Sequence, residues 1–322
     1  MQSLFIDFLG QPLWMWLGYL AFVFVLLAFD LGVLNKRGGE IDVAESMRLS
    51  AFYISMGLAF SLFIWWRMGS EAAILYLTGY VVEESLSLDN IFVIALIFGY
   101  FNIPQRYQHR ALVYGILGVI VLRGVMVAAG TAIVDQFHWV LYLFAAFLVY
   151  TGIKMLAPGG GEFDVSKNKL LKFLHARLPV TEELHGEKFF VRLPANEDGE
   201  KPKLYATPLF LALVMVEFAD VIFAVDSVPA IFSITTDPYI VFTSNISAIL
   251  GLRALYFALS AMLERFVLLK YALSAVLVFI GGKILLGEMM GLGKIPPLWS
   301  LTITLVILGS GVIGSLMKTR RH

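Results

Sequence analysis

Long apolar stretches, separated mostly by short polar connections, dominate this chain. Nine such runs stand out: 14–34, 49–66, 72–101, 111–134, 137–156, 208–232, 239–263, 266–286 and 298–316. A helix that crosses the hydrocarbon core needs about 20 apolar residues. The pattern therefore predicts an all-α integral membrane protein with nine transmembrane helices. The first run has no basic segment before it and no small-residue cleavage site behind it, which fits a spanning helix and not a signal peptide. The one long polar connection is 157–207. Within it, "KNKLLKFLHARL" (167–178) predicts an amphipathic helix near the membrane surface. "KFFVRLPANEDGEKPKLYAT" (188–207) predicts a hairpin around a polar turn.

The basic residues of the connections alternate. The segment before Trp14 has none; the first connection has Lys36, Arg37 and Arg48, the second only Arg67, the third Arg106 and Arg110, and the fourth none. The long fifth has eight, the sixth none, the seventh Arg265 and Lys270, the eighth Lys294, and the tail Lys318, Arg320 and Arg321. Lys and Arg accumulate on the cytoplasmic side. The alternation places the N-terminus outside and the C-terminus in the cytoplasm, and in a bacterium the membrane would be the inner one. Composition agrees with a lipid bilayer as the main partner: 59% of residues are hydrophobic and 15% charged, with a mean hydropathy of +0.81. Zero net charge offers no field for nucleic acid, and the absence of Cys removes thiolate metal sites.

The chain also repeats itself. Aligning Gly152 with Gly281 brings Lys154 onto Lys283, and Asp135, Phe137 and Tyr142 onto Glu264, Phe266 and Tyr271 without a gap. A one-residue gap brings Arg123 onto Arg253. Further back, "LSLDNIFVI" (86–94) falls on "FAVDSVPAI" (223–231), which pairs Asp89 with Asp226 and Glu83 with Asp220. Helices 3–5 and 6–8 thus read as two copies of a three-helix unit. An odd number of spans per copy inverts one copy relative to the other, a transporter architecture with its site at the repeat interface. The organisation expected is 1–71 for the first two helices and 72–156 for the first unit. The cytoplasmic segment follows at 157–207, the second unit at 208–287, and the last helix and tail at 288–322.

"EESLSLDNIFV" (83–93) and "VEFADVIFAVDSVPAIF" (216–232) interrupt apolar runs with Glu83, Glu84, Asp89, Glu217, Asp220 and Asp226. An ionised carboxylate at the bilayer centre costs about 2.5–3.5 kcal/mol on the lenient scale. Arg123 and Arg253 lie mid-helix and could balance some of that charge; Lys154 and Lys283 are nearer helix ends and could snorkel. Six carboxylates against these four cations leave two negative charges, which one divalent metal ion would neutralise. Asn90 and Ser227 add neutral oxygen donors. Oxygen-only sets suit Mn, Ca or Mg. No His is expected inside a membrane helix, since His109, His138, His175, His185 and His322 fall in connections, at ends or in the tail.

Asp220 and Asp226 lie about 120° apart on a regular helix, and Glu84 and Asp89 about 140°. Pro229 clashes with the carbonyl of Val225, so the sixth helix is expected to be kinked or opened beside Asp226, where a freed carbonyl could serve as a ligand. Asp30 reads equally as an ion-entry residue or as a partner of Lys36 or Arg37. "GSGVIG" (309–314) matches a dinucleotide pattern, but it sits in a spanning run with no strand before it and is read as helix packing.

"EESLSLDNIFV", "LVYGILGVIVLR" (112–123), "MVEFADVIFAVDSVPAIF" (215–232) and "TSNISAILGLRALYF" (243–257) closely resemble the TerC family of integral membrane proteins, and the layout resembles its Alx branch. The resemblance implies manganese export from the bacterial cytoplasm and kinship with the LysE transporter superfamily. It carries the metal role onto Glu83, Glu84, Asp89, Glu217, Asp220 and Asp226. The expected function is a non-enzymatic secondary transporter of Mn2+, with Ca2+ or Mg2+ as lesser candidates, driven by proton exchange on the carboxylates. An alternative is a membrane factor for assembly or metal loading of exported proteins, with the Sec machinery or those proteins as partners. An intramembrane metalloenzyme is disfavoured by the lack of His.

Overall fold

The computed structural model describes residues 6–34, 43–156, 168–193, 203–259, 268–289 and 296–319. A short hairpin, β1 (Asp7–Phe8) with β2 (Gln11–Pro12), leads into α1 (Leu13–Leu34). Its turn residues Leu9 and Gly10 both have positive φ, and Asp7 Oδ1 accepts the Gly10 N–H. The long helices follow: α2 (Val43–Met68), α3 (Ser70–Tyr100), α4 (Gln105–Gln136) and α5 (Val140–Leu156). After the polar segment come α7 (Pro208–Phe232), α8 (Pro238–Leu250), α9 (Leu252–Leu259), α10 (Leu269–Met289) and α11 (Pro297–Thr319).

Among the described residues, each of the nine apolar runs falls largely on helix. Five helical segments are long and apolar enough to cross a membrane by length and composition: Ala44–Met68, Gln105–Gln136, Pro208–Phe232, Pro238–Leu259 and Pro297–Ser315. Leu13–Phe29 and Val140–Leu156 are apolar but shorter. The remaining two, α3 and α10, carry the charges that the sequence places in them: Glu71, Glu83, Glu84 and Asp89 on α3, and Lys270, Lys283 and Glu288 on α10. Polar groups concentrate in particular helices.

Glycine sets one tight turn and one close helix crossing in the bundle's frame. Gly69, with φ of 93°, occupies a backbone region that side chains rarely adopt and turns α2 directly into α3. The two helices then run back along each other, with Tyr76 Oη donating to Gly57 O at 2.9 Å. Between α5 and α10, a Cβ on Gly152 would meet Ser274 O and Val278, and a Cβ on Gly281 would meet Ala145 O and Val149. These contacts are reciprocal under the alignment that pairs Gly152 with Gly281, because it also pairs Ala145 with Ser274 and Val149 with Val278. Ser274 Oγ donates to Gly152 O at the same crossing.

The continuous segment α8–α9 occupies the middle. Its apolar window in Pro238–Leu259 is wholly buried. A helix covered on every side has no lipid face to keep apolar, and α8 accordingly carries Thr243, Ser244, Asn245 and Ser247, all buried. The helix breaks for one residue at Gly251, next to Tyr53 of α2. The expected opening at Pro229 is not found: α7 remains helical from Pro208 to Phe232.

The polar segment folds against the bundle. α6 (Lys169–Arg177) is capped by Asn168, whose side chain accepts the Leu170 N–H, and it buries Leu171 with Leu209 and Ala212 of α7. β3 (Phe190–Leu193) pairs antiparallel with β4 (Lys203–Ala206). Thr207 ties this hairpin to the start of α7: its hydroxyl donates to Lys188 O and accepts the Phe210 N–H. At the other end of the chain, Gly311 and Gly314 pack on Ala272 and Leu268, so "GSGVIG" is a helix contact, as its setting implied.

Candidate functional site

Arg123 stands at the middle of α4 with no exposed surface. A guanidinium buried among helices must find acceptors for its fork of N–H groups, and here they come from three other elements. Nη1 lies 2.7 Å from Glu83 Oε1 on α3, 2.7 Å from Ser227 Oγ on α7 and 3.0 Å from Asn245 Oδ1 on α8. Nη2 and Nε take the two oxygens of Asp220 on α7, at 3.1 and 3.3 Å. Asn245 closes the ring by donating from Nδ2 to Glu83 Oε2 at 3.2 Å. Both carboxylates are ion-paired with the same arginine, and all five side chains are buried. Such a knot fixes helix rotation and register, because each helix contributes one group that cannot be left unpaired.

A different environment surrounds the neighbouring acids. Among the described residues, no hydrogen-bond partner reaches either buried carboxylate oxygen of Glu84 or Glu217, nor Ser87 Oγ or Asn90 Oδ1. Glu217 lies over Gly118 of α4, where a Cβ would sit 2.5–2.6 Å from its carboxylate, so a side chain at 118 would have to displace the end of Glu217. A small cavity between α3, α4, α7 and α9 is lined by Asn90, Gly115, Ile116, Val119, Asp220 and Arg253, among others. It leaves about 20 Å3 for the centre of a water-sized sphere, enough for one water or one ion. Asp220 belongs to both places: its oxygens bind Arg123 and its side chain lines the cavity.

The remaining candidates are dispersed. Asp226 accepts a hydrogen bond from Thr151 Oγ1 of α5 at 3.2 Å, away from the Arg123 knot. Arg253 is buried and its Nη1 meets His109 Nε2. Lys283 donates to Ser300 of α11 at 3.0 Å, and Lys154 is exposed near the end of α5. Asp89 and Asp30 lie on α3 and α1, but their side chains fall outside the described residues, as do Lys36 and Arg37. Glu83 and Asp220 converge on Arg123, and among the described residues no three His, Cys, Asp or Glu side chains gather closely enough to hold a metal ion.

Two expectations change. His109 is not in a connection: α4 begins at Gln105, which places His109 in its second turn against Arg253. The basic residues of 105–110 concealed that start, since hydropathy drops before the helix does. Asn245 was not singled out as a site residue, although it bridges Arg123 and Glu83. Its one signal was an amide inside an otherwise small-polar and apolar run, "TSNIS" (243–247).

The sequence profile of the Integral membrane protein TerC family matches residues 68–322, and this chain belongs to that family. It is 43% identical over 311 residues to STKORF319, an uncharacterized membrane protein of Myxococcus xanthus, covering 97% of this chain and 94% of the relative. It is 44% identical over 313 residues to Alx of Salmonella typhi, covering 92% and 94%. It is likewise 44% identical over 286 residues to Alx of Escherichia coli K12, covering 86% and 87%. Both Alx proteins are described by their names as membrane-bound redox modulators. No solved structure matches the chain. The protein is a multi-pass, largely α-helical membrane protein of the TerC family.

Proposed function

We propose that the chain is a secondary transporter that exports a hard divalent cation, manganese(II) foremost, from the cytoplasm across the inner membrane. The observation that carries this reading is that Glu84 and Glu217 are buried carboxylates with no hydrogen-bond donor among the described residues. A buried charge without a partner is too costly for a static scaffold to keep. A proton or a metal cation satisfies it, and exchanging one for the other across the bilayer is cation transport. Asn90 and Asp220 bring oxygen donors to the wall of the cavity, which is otherwise mostly apolar and also carries Arg253, and Mn2+, Ca2+ and Mg2+ prefer oxygen ligands. The choice of manganese rests on family resemblance.

The nine-span path, with the N-terminus outside and the C-terminus cytoplasmic, is part of the proposal. All six Trp residues, at 14, 16, 65, 66, 139 and 299, fall at helix ends or connections that this path puts on the outer side. Tryptophan favours the membrane interface. The inverted repeat is supported by the reciprocal Gly152 and Gly281 contacts, which an isologous pair of units would make. Export then proceeds by rocking one unit against the other. Asp89 and Asp226, at equivalent positions, are proposed as further ligands on the path. The names of the Alx relatives suggest redox modulation; this chain has no Cys, so any such effect here would not pass through its own thiols.

The test is flux in liposomes reconstituted with the purified protein and assayed with Mn2+, Ca2+ and Mg2+. Mn2+ movement above that of empty liposomes is expected, and it should be lost in Glu84→Gln and Glu217→Gln proteins that fold normally. No flux of any of the three ions by a folded protein would sink the transport reading and leave the assembly-factor alternative.

A further inference from the structure

We infer that Arg123 is a built-in competitor of the transported cation: its guanidinium occupies the cargo's charge position between Glu83 and Asp220 and must be displaced for the ion to bind there. The inference rests on the transport reading above. Around this one group stand five oxygens from three helices: Glu83 Oε1, both oxygens of Asp220, Ser227 Oγ and Asn245 Oδ1, all within 3.3 Å of its nitrogens. Two carboxylates, a hydroxyl and an amide carbonyl are also the donor set that a hard divalent cation takes from a protein. Nothing in this shell is specific to guanidinium except the bidentate grip of Asp220.

Charge and space favour exchange over permanent pairing. With Arg123 in place the knot carries one net negative charge; a divalent cation in its place would bring Glu83 and Asp220 to neutrality. Asp220 also lines the cavity, where the Asn90 amide oxygen is buried and unpartnered among the described residues. Asn90 is only 5% exposed, so that oxygen has no bulk water to turn to. An ion arriving in the cavity thus meets an orphaned oxygen on one side and a carboxylate already shared with Arg123 on the other. The cavity wall includes Ile116 and Val119, on α4 N-terminal to Arg123. Helical side chains lean in that direction, so Arg123 and an incoming ion contest the same side of α4. In the ion-free protein the arginine keeps the two acids from being left bare while the helices move. In the loaded protein it is the group whose return expels the cargo.

The competition makes a prediction that a purely structural arginine does not. Removing it should tighten cation binding while stopping transport. In an Arg123→Gln protein, Mn2+ affinity measured by calorimetry should rise at least about tenfold, since a unit charge lost beside two carboxylates exceeds that factor even at an effective dielectric of about 20. Liposome flux should fall to background. An Arg123→Ala protein provides the second arm and guards against poor folding: low-millimolar methylguanidinium should raise its melting temperature and weaken its Mn2+ binding, with no such competition in the parent. Unchanged or weaker Mn2+ affinity in a folded Arg123→Gln protein, or no competition by methylguanidinium, would overturn the inference while parental flux left the transport reading standing. Absence of both binding and flux in the parent and the variants would overturn both.

Discussion

Arg123 and Arg253 fall on equivalent positions of the two sequence units and are buried to the same degree, at 0% and 1% exposure, yet they keep different company. Arg123 is gripped by Glu83, Asp220, Ser227 and Asn245, with every nitrogen of its fork engaged. Arg253 meets His109, lies beside the one-residue break at Gly251, and borders the cavity. The knot around Arg123 is closed by ion pairs, and Arg253 borders the cavity. At Gly152 and Gly281, which the sequence alignment also pairs, the contacts do match.

The largest effect expected is at the knot. Arg123→Met leaves two buried carboxylates facing each other without their cation, and should cost about 3–5 kcal/mol in chemical unfolding followed in detergent. Asp220→Asn leaves Arg123 balanced by Glu83 alone and should cost less, about 1–3 kcal/mol. Equal losses from the two changes would mean that the knot does not hold two negative charges, and the comparison would lose its electrostatic basis.

A subtler pair of changes probes one face of α4 at two positions about one turn apart. Gly118→Ala drives a Cβ into the Glu217 carboxylate and should destabilise by about 1–3 kcal/mol, as overpacking does. Gly115→Ala finds its nearest neighbour, Glu217 Oε1, at 3.6 Å, and that position lines the cavity. It should be neutral or stabilising by about 0.5–1 kcal/mol, because alanine suits a helix better than glycine. A Gly115→Ala protein less stable than Gly118→Ala would show that the position lining the cavity is the tighter one. The smallest effect is expected from Tyr256→Phe. It removes the 2.9 Å hydrogen bond to Gln108 beside Arg253 and His109, and should cost about 0.5–1.5 kcal/mol by thermal unfolding. A much larger loss would reveal a polar network on the Arg253 side as firm as the one around Arg123.

Hydrophobic runs determined where the helices lie, because a stretch of about 20 apolar residues has no other way to satisfy its backbone in lipid. The positions of the buried acids were legible for the same reason: a charge inside such a run is conspicuous and costly. The matched glycines were legible through the repeat. The partners of those acids were not. Arg123 reaches Asp220 across 97 residues, Asn245 reaches Glu83 across 162, and His109 reaches Arg253 across 144. Each contact depends on how two helices rotate and slide against each other, and an apolar run specifies neither, since its faces look alike. Only packing, with glycine at 152 and 281 admitting close approach, decided that Glu83 and Asp220 would meet at Arg123 and that Asp220 would also border a small cavity. The start of α4 and the continuity of α7 through Pro229 were settled in the same way. Local sequence argued for a later helix and an opened one, and the surrounding bundle held both to the helical form because unpaired backbone inside it would cost more than the local strain.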